Sequence, residues 1–421
     1  MTKIHSACAV VLLLPSLAFA GDFEDGVAAL KKNDYDSAIV CFNAHIRLNP
    51  KDAVAYLNRG SAYDDKKEYD KAIEDYSQAI RLDPKYAAAF NNRGIAYKNK
   101  KEFDKAIQDF SQAIQLDPKF AIAYYNRGVA YSEKKEYDKA IENYSQSIRL
   151  NPTYPSAYNN RGVAYRNKRE YDKAIEDYSQ AIQLDPKNVS AYNNRGNAYH
   201  QKKEYDKAIA DYSQAIQLDS KEAEAYYNRG VAYRNKREYD KAIEDYSQAI
   251  RLNPKNADAY YNRGNVYSYK KEYDNAIKDY SQAIRLEPEY LVAYYNRGNA
   301  YSDKKEYDKA IEDYSQIIRL EPKIAQAHER LAWVLSTSPK AGVRDGKKAI
   351  EHATKACKLS EWKYASPLGT LAAAHAESGD FKEAVKWQQK AIELGYDDKE
   401  EAGKARKRLK LYEEGKPFRE E

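Results

Sequence analysis

Asparagine is the residue whose type and spacing in this chain could best support recognition chemistry. It precedes an Arg-Gly pair once in every 34 residues, at Asn58, Asn92, Asn126, Asn160, Asn194, Asn228, Asn262 and Asn296. The side-chain amide offers a donor and an acceptor together, which suits the C=O and N–H groups of a polypeptide. The row predicts a ladder that grips an extended peptide, although eight recent copies of one unit would share this asparagine even if it bound nothing.

The side chains beside this row differ between copies and would supply binding preference. In the middle copies they include Arg166, His200, Tyr227 and Arg234. They make this region polar and slightly basic, which favours an acidic or polar segment of a partner protein. The formal net charge of the whole chain is +6, with acidic and basic residues interspersed. Because no basic block is present, the sequence argues against nucleic-acid binding.

Residues that could carry catalysis or hold a metal are scattered. No two of the six histidines have the spacing of metal ligands, and no cysteine has a plausible base nearby. The chain also lacks a Gly-rich phosphate-binding loop and a Gly-x-Ser-x-Gly motif. The sequence therefore predicts a protein that is not an enzyme and that uses neither a cofactor nor a metal.

Each asparagine belongs to a 34-residue unit that predicts a helix–turn–helix hairpin. In residues 53–86, apolar and aromatic side chains recur at helical spacing in two stretches. A polar turn at 64–67 separates the stretches, and Pro84 ends the second. Glycine inside a helix costs about 1 kcal/mol relative to alanine. Its presence at Gly60 in the first stretch, with Ala72 in the second, predicts a close crossing of the two helices.

Positions in the unit are numbered here from 1 to 34, starting at residue 53. Aromatic residues at positions 4 and 24, glycine at 8, tyrosine at 11, alanine at 20 and 27 and proline at 32 together resemble the tetratricopeptide repeat. The resemblance covers residues 53–324 without a gap. It implies an all-α fold, a right-handed α-solenoid superhelix of antiparallel helix pairs whose first helices line a concave surface. The asparagine row is similar to the ladders of other superhelical peptide binders.

The chain departs from the family pattern at position 7, where arginine replaces an aliphatic residue. An arginine in an apolar stripe needs a partner or access to water. Position 23 is aspartate in all but one copy, which has Asn143. We therefore predict bidentate pairs that bridge the two helices, such as Arg59 with Asp75 and Arg229 with Asp245. Arginines that simply extend into solvent are the alternative.

The sequence divides into four segments. Residues 1–20 combine a lysine, a short apolar run and an Ala-Phe-Ala ending, which predicts a secretory signal cleaved after Ala20 and leaves no membrane span. An uncleaved amphipathic start on a cytosolic protein is the alternative. Residues 21–52 form a divergent N-terminal repeat, 53–324 eight near-identical repeats, and 325–421 divergent repeat-like units with a C-terminal capping helix.

Together these features predict an exported protein, periplasmic or secreted, that serves as a non-catalytic scaffold. It would bind an extended segment of a partner protein in the concave groove of the superhelix. One alternative is a structural or assembly protein that self-associates or contacts the cell envelope through its edges. Another is a saccharide or wall-polymer binder, because tyrosines and amides also suit sugars.

Overall fold

The computed structural model describes residues 21–420, so the predicted signal at 1–20 lies outside the described residues. Across 21–420 the regular structure is helical and contains no β-strand. The same range contains one 3₁₀ turn, at Ala341–Val343. The α-helices are α1 (Gly21–Lys31), α2 (Tyr35–Leu48), α3 (Ala53–Asp65), α4 (Tyr69–Leu82), α5 (Ala87–Asn99), α6 (Phe103–Leu116), α7 (Ala121–Glu133), α8 (Tyr137–Leu150), α9 (Pro155–Asn167), α10 (Tyr171–Leu184), α11 (Val189–Gln201), α12 (Tyr205–Leu218), α13 (Ala223–Asn235), α14 (Tyr239–Leu252), α15 (Ala257–Tyr269), α16 (Tyr273–Leu286), α17 (Leu291–Asp303), α18 (Tyr307–Leu320), α19 (Ala325–Thr337), α20 (Gly346–Leu359), α21 (Ala365–Glu377), α22 (Phe381–Leu394) and α23 (Lys399–Glu413).

The helices form two compact units, one ending at Glu204 and the other beginning at Tyr205. In the first, the odd-numbered helices from α1 to α9 each pack against the next helix, and α11 packs against α10. In the second, α12 packs against α13, the pairs from α13–α14 to α21–α22 follow, and α23 packs against α22. The predicted all-α fold of stacked helix pairs is confirmed.

The turn inside each repeat follows from how its first helix ends. After α3, the Lys67 backbone N–H donates to Asp64 O at 2.8 Å and the Glu68 N–H donates to Tyr63 O at 2.8 Å. This is the Schellman pattern, which caps the last carbonyls of a helix and needs one residue in the left-handed region. That residue is Lys67, with φ 61°. The turn therefore reverses the chain within a few residues and brings the second helix back against the first.

The predicted close crossing lies between the position-8 glycine and the ring at position 24. A Cβ placed on Gly162 would lie 2.7 Å from Tyr178 Cε1, well inside van der Waals contact. Tyr178 is fully buried, and Ala174 at position 20 is buried beside it. The tyrosine ring therefore fills the space that a side chain at the glycine position would occupy.

The core tyrosines at position 24 differ in whether their hydroxyl group finds a partner. The Tyr280 hydroxyl donates to Asn265 Oδ1 at 2.9 Å, whereas the Tyr246 hydroxyl is buried without one among the described residues. An unsatisfied buried polar group costs about 1 kcal/mol or more. Phenylalanine fits this site, because Phe110 occupies it in another repeat.

We expect Tyr246→Phe to raise the free energy of unfolding by about 1 kcal/mol and Tyr280→Phe to lower it by about 1 kcal/mol. The reason is that the first change removes an orphan hydroxyl and the second removes a hydrogen bond. Urea unfolding followed by circular dichroism measures both variants against the wild type. Effects of the same sign would contradict this account of the core.

Candidate functional site

The position-6 asparagines, predicted to contact an extended peptide, form hydrogen bonds between adjacent repeats of the protein itself. In five repeats the position-6 amide nitrogen donates to the side chain at position 5 of the repeat before it. The pairs are Asn126 to Asn91 (3.0 Å), Asn160 to Tyr125 (2.9 Å), Asn194 to Asn159 (3.1 Å), Asn262 to Tyr227 (3.0 Å) and Asn296 to Tyr261 (3.2 Å). Their donors are therefore engaged within the protein, which the sequence interpretation did not foresee.

The other three position-6 asparagines behave differently. Asn58 donates to Val54 O of its own helix at 3.0 Å. Asn92 accepts at its side-chain oxygen from Asn91, at 3.2 Å. The Asn228 amide nitrogen is buried without a hydrogen-bond partner in the described part of the chain. The asparagine thus recurs in every regular repeat, but the hydrogen bond to the preceding repeat does not.

The variable neighbours of the row join the same network. Arg166 Nη1 donates to Asn194 Oδ1 at 3.2 Å, and Arg234 Nη1 donates to Asn262 Oδ1. Tyr227 accepts from Asn262, and His200 lies half-buried on α11. Because both ends of the Asn194 and Asn262 amides are occupied, these groups stiffen the junctions between repeats more than they offer free contacts to a ligand.

In six repeats the position-7 arginine donates to both carboxylate oxygens of the position-23 aspartate. Arg59 Nε and Nη2 donate to the two Asp75 carboxylate oxygens at 2.8 and 2.6 Å, and Arg229 donates to Asp245 at 2.8 Å in both bonds. The remaining nitrogen of Arg229, Nη1, donates to Ser213 Oγ of the preceding repeat at 2.9 Å. One guanidinium therefore joins both helices of its repeat to the second helix of the repeat before it.

A second surface of the first helices remains accessible. We call it the first-helix face and define it by positions 2, 9, 12 and 13 of each first helix, counted from the first helical residue. Asn167, Ser190 and Gln201 are exposed on it in the first compact unit. In the second, Tyr269 is 65% and Val292 is 49% exposed. These side chains are therefore open to contact by a partner on the first helices.

Residues 416–420, a non-helical segment after α23, lie on this face in the second compact unit. The Phe418 ring packs against Trp333, at position 9 of α19, with ring centroids 5.9 Å apart. The Glu420 backbone N–H donates to the carbonyl of Thr337, at position 13 of α19, at 2.9 Å. The Arg419 guanidinium pairs with Glu377, at position 13 of α21. The first-helix face thus already holds a short polypeptide segment through main-chain and side-chain contacts.

Two histidines that are 24 residues apart in sequence meet in the structure. His328 Nδ1 lies 2.9 Å from His352 Nδ1, and His328 Nε2 lies 3.1 Å from Pro322 O. Since the bond to the carbonyl places a proton on His328 Nε2, its Nδ1 accepts a hydrogen bond from His352. Burial lowers the pKa of His328, and burial together with the neighbouring His328 lowers the pKa of His352. No periodic signal could have revealed this pair, because it lies beyond the regular repeats.

The histidine pair predicts a loss of stability in acid. Because the folded-state pKa values are lowered, the unfolded chain binds more protons below about pH 6.5, and stability falls as the pH drops through that value. Glu351, Lys348 and Lys355 are the nearby charges. We expect the urea midpoint of the wild type to be lower at about pH 5.5 than at about pH 7.5. The decrease should be smaller in His352→Gln, which lacks one of the two titrating rings. An equal fall in both proteins would contradict the role of the pair.

Within residues 21–420, no group of three or more His, Cys, Asp or Glu side chains is placed to hold a metal ion. In the same range, no helix has both the length and the apolar character needed to cross a membrane.

Comparison with known proteins places the repeats in one family. Models described as tetratricopeptide repeat or TPR repeat match residues 60–101, 87–120, 121–154, 143–176, 164–203, 196–237, 223–256, 257–290, 292–324 and 368–395. Together these matches cover more than half of the chain. No curated protein matches the chain significantly.

Several solved structures are similar to parts of the chain. The structure of MamA protein is 34% identical over 41% of this chain and 94% of its own, with a TM-score of 0.38. YrrB, described as a TPR protein with an unusual peptide-binding site, is 25% identical over 44% of this chain and 95% of its own, with a TM-score of 0.39. Yeast Tom70 is 20% identical over 93% of this chain and 95% of its own, with a TM-score of 0.38. Because the tetratricopeptide repeat models match more than half of its residues, the chain belongs to the tetratricopeptide repeat family.

Proposed function

We propose that this protein is a non-catalytic interaction scaffold that binds a segment of a partner protein on its first-helix face. The observation that carries the proposal is the seating of residues 416–420 against positions 9 and 13 of α19 and position 13 of α21. The same positions recur in the first helix of every repeat. A surface that holds one non-helical segment through backbone and side-chain contacts has the chemistry to hold another.

The asparagine ladder supports binding indirectly. In five repeats its hydrogen bonds tie the first helix to the first helix of the repeat before it, as in Asn160 to Tyr125. The arginine pairs do the same for the second helices, as in Arg229 to Ser213. A scaffold whose repeats are held in a fixed register presents its exposed side chains at fixed spacing, so less conformational entropy is lost on binding. The asparagines thereby position the face that makes the contacts.

The chemistry of the middle repeats favours a polar or acidic partner segment. Arg166 and Arg234 carry positive charge on the first helices of these repeats, and each donates to an asparagine there and not to a carboxylate. The neutral asparagine does not cancel the charge, so each guanidinium still attracts an anionic side chain while it stiffens the junction. We also propose that the protein is exported, on the signal-like composition of residues 1–20.

Differential capture tests the proposal. The purified protein is immobilised and exposed to a cell-envelope extract, beside a face variant that carries Asn167→Glu and Gln201→Glu. Position 13 tolerates acidic residues, because Glu133 occupies it in another repeat. The control variant carries Gln115→Glu and Gln183→Glu, which are exposed on second helices.

We expect the wild type and the control to capture the same partner protein. The face variant should lose it by about tenfold, a difference of about 1.4 kcal/mol in binding free energy. Capture of one identical set by all three proteins, or equal losses from the face and control variants, would contradict the proposal.

A further inference from the structure

We propose that residues 416–420 act as an internal ligand of the first-helix face, and that α19 and α21 select partner segments in which an aromatic residue precedes a basic residue. This inference rests on the proposed function and names the partner chemistry for one end of the face. It follows from the contacts at two sites, called here the aromatic seat, which holds Phe418, and the basic seat, which holds Arg419.

The aromatic seat is built by Trp333 and Arg408. The Arg408 guanidinium lies 5.3 Å from the Trp333 ring centroid and 5.8 Å from that of Phe418, so it covers both rings. Arg408 is only 5% exposed and donates to Glu401 at 2.7 Å, which fixes its orientation. A cation held over one aromatic ring attracts a second ring to its side. The seat therefore favours an aromatic side chain.

The basic seat is built by Glu377. Arg344 Nε donates to Glu377 Oε1 at 2.9 Å, and Arg419 Nη2 lies 2.5 Å from Glu377 Oε2. Arg419 Nη1 also donates to the Ser336 carbonyl at 3.2 Å. The Glu377 side chain is 14% exposed, so it is a fixed and largely desolvated anion. Such a carboxylate favours a guanidinium, which offers several donors in one plane.

The segment occupies these seats without closing the surface around them. Phe418 and Glu420 are half-buried, in contrast to the fully buried rings of the repeats. A cavity of about 570 Å³ remains beside them, lined also by Arg330, Trp333 and Thr370. The space can hold a longer segment than the one present. This arrangement is that of an occupied binding surface and differs from that of a packed core.

Tethering makes the internal segment a strong competitor. A segment joined by a short linker has an effective concentration in the millimolar range, so a free segment of similar affinity binds weakly while the seats are filled. Removing the two anchoring side chains should open the seats. A partner segment whose aromatic and basic residues bind the two seats more tightly would displace residues 416–420.

Fluorescence anisotropy with a labelled synthetic peptide of sequence KPFRE, the sequence of residues 416–420, tests the inference. The protein is the full chain with Phe418→Ala and Arg419→Ala, compared with the wild type. We expect the double variant to bind the peptide about tenfold more tightly than the wild type, because the tethered competitor is gone. Adding Trp333→Ala or Glu377→Gln to this variant should abolish binding, and KPARE and KPFAE peptides should not bind.

Circular dichroism first checks that the variants are folded. If the double variant is not, Arg419→Ala alone is tested with the same peptides. Failure of a folded variant to bind KPFRE, or equal binding of KPFRE and KPARE, would overturn the inference. If the capture experiment on Asn167 and Gln201 succeeds while this one fails, the proposed function stands and only the internal-ligand inference is rejected.

Discussion

Replacing Asp177 by alanine is expected to lower the free energy of unfolding by about 3 kcal/mol. Asp177 accepts two hydrogen bonds from Arg161, at 2.8 and 2.7 Å, and its side chain is 5% exposed. Its removal leaves a guanidinium that is only 19% exposed without a counter-charge, where two helices meet Ser145 of the preceding repeat. Breaking such a pair costs more than the pair contributes, because the remaining charge stays desolvated. Urea unfolding measures the loss.

Two companion variants separate the stability contributed by the ion pair from the cost of leaving a buried charge without a partner. Asp177→Asn should cost only about 1 kcal/mol, because Asn143 already holds Arg127 through its side-chain oxygen at 2.7 Å. Burial raises the pKa of Asp177 above its ordinary value even beside Arg161, so the ionised pair is costly to bury. Replacing both residues by leucine should therefore cost less than Asp177→Ala alone. A double leucine replacement that costs as much as Asp177→Ala, or more, would contradict this account.

Gly162→Ala is expected to destabilise the protein by about 2 kcal/mol, because the added methyl group overpacks the helix crossing. Helix propensity alone predicts the opposite, a gain of about 1 kcal/mol for alanine over glycine. The new Cβ would lie 2.7 Å from Tyr178 Cε1 and 2.9 Å from Cδ1. The ring is fully buried and packs with Ala174 and Ala198, so it can move away from an added methyl group only by displacing these neighbours. Thermal or urea unfolding measures the change.

Gly403 on α23 is the matched control. Apart from its chain neighbours and the backbone of its own helix, nothing lies within 4 Å of the Cβ that alanine would add there. Gly403→Ala should therefore show the propensity gain of about 1 kcal/mol. If both substitutions stabilise the protein, the glycine at position 8 does not set the distance between the two helices, and the packing argument fails.

The regular part of the fold could be predicted because the repeat restates the same local rules many times. Helical spacing, the glycine at the crossing and the proline at the end act within one unit. The Arg59–Asp75 pair could also be anticipated, since both residues lie in one hairpin. The partners of the asparagines could not, because they depend on the register between neighbouring first helices. Asn160 meets Tyr125 only when two repeats are stacked.

The non-repeating part resisted prediction for a different reason. His328 and His352 carry no periodic signal, and their contact depends on how α19 and α20 pack. Residues 416–420 likewise contain no motif that would indicate a binding segment. Their role becomes visible only when Phe418 is found against Trp333 and Arg419 against Glu377. One-off contacts of this kind are fixed by tertiary structure alone.

Site-specific photo-crosslinking tests the central claim most directly. A photoreactive amino acid is placed at Gln201, exposed on the first helix α11, or at Gln183, exposed on the second helix α10. Each protein is irradiated in a cell-envelope extract, and its crosslinked products are identified by mass spectrometry. The account predicts that the probe at position 201 crosslinks to a discrete partner segment and that the probe at position 183 does not. Crosslinks only at position 183, or the same products from both positions, would contradict binding on the first-helix face.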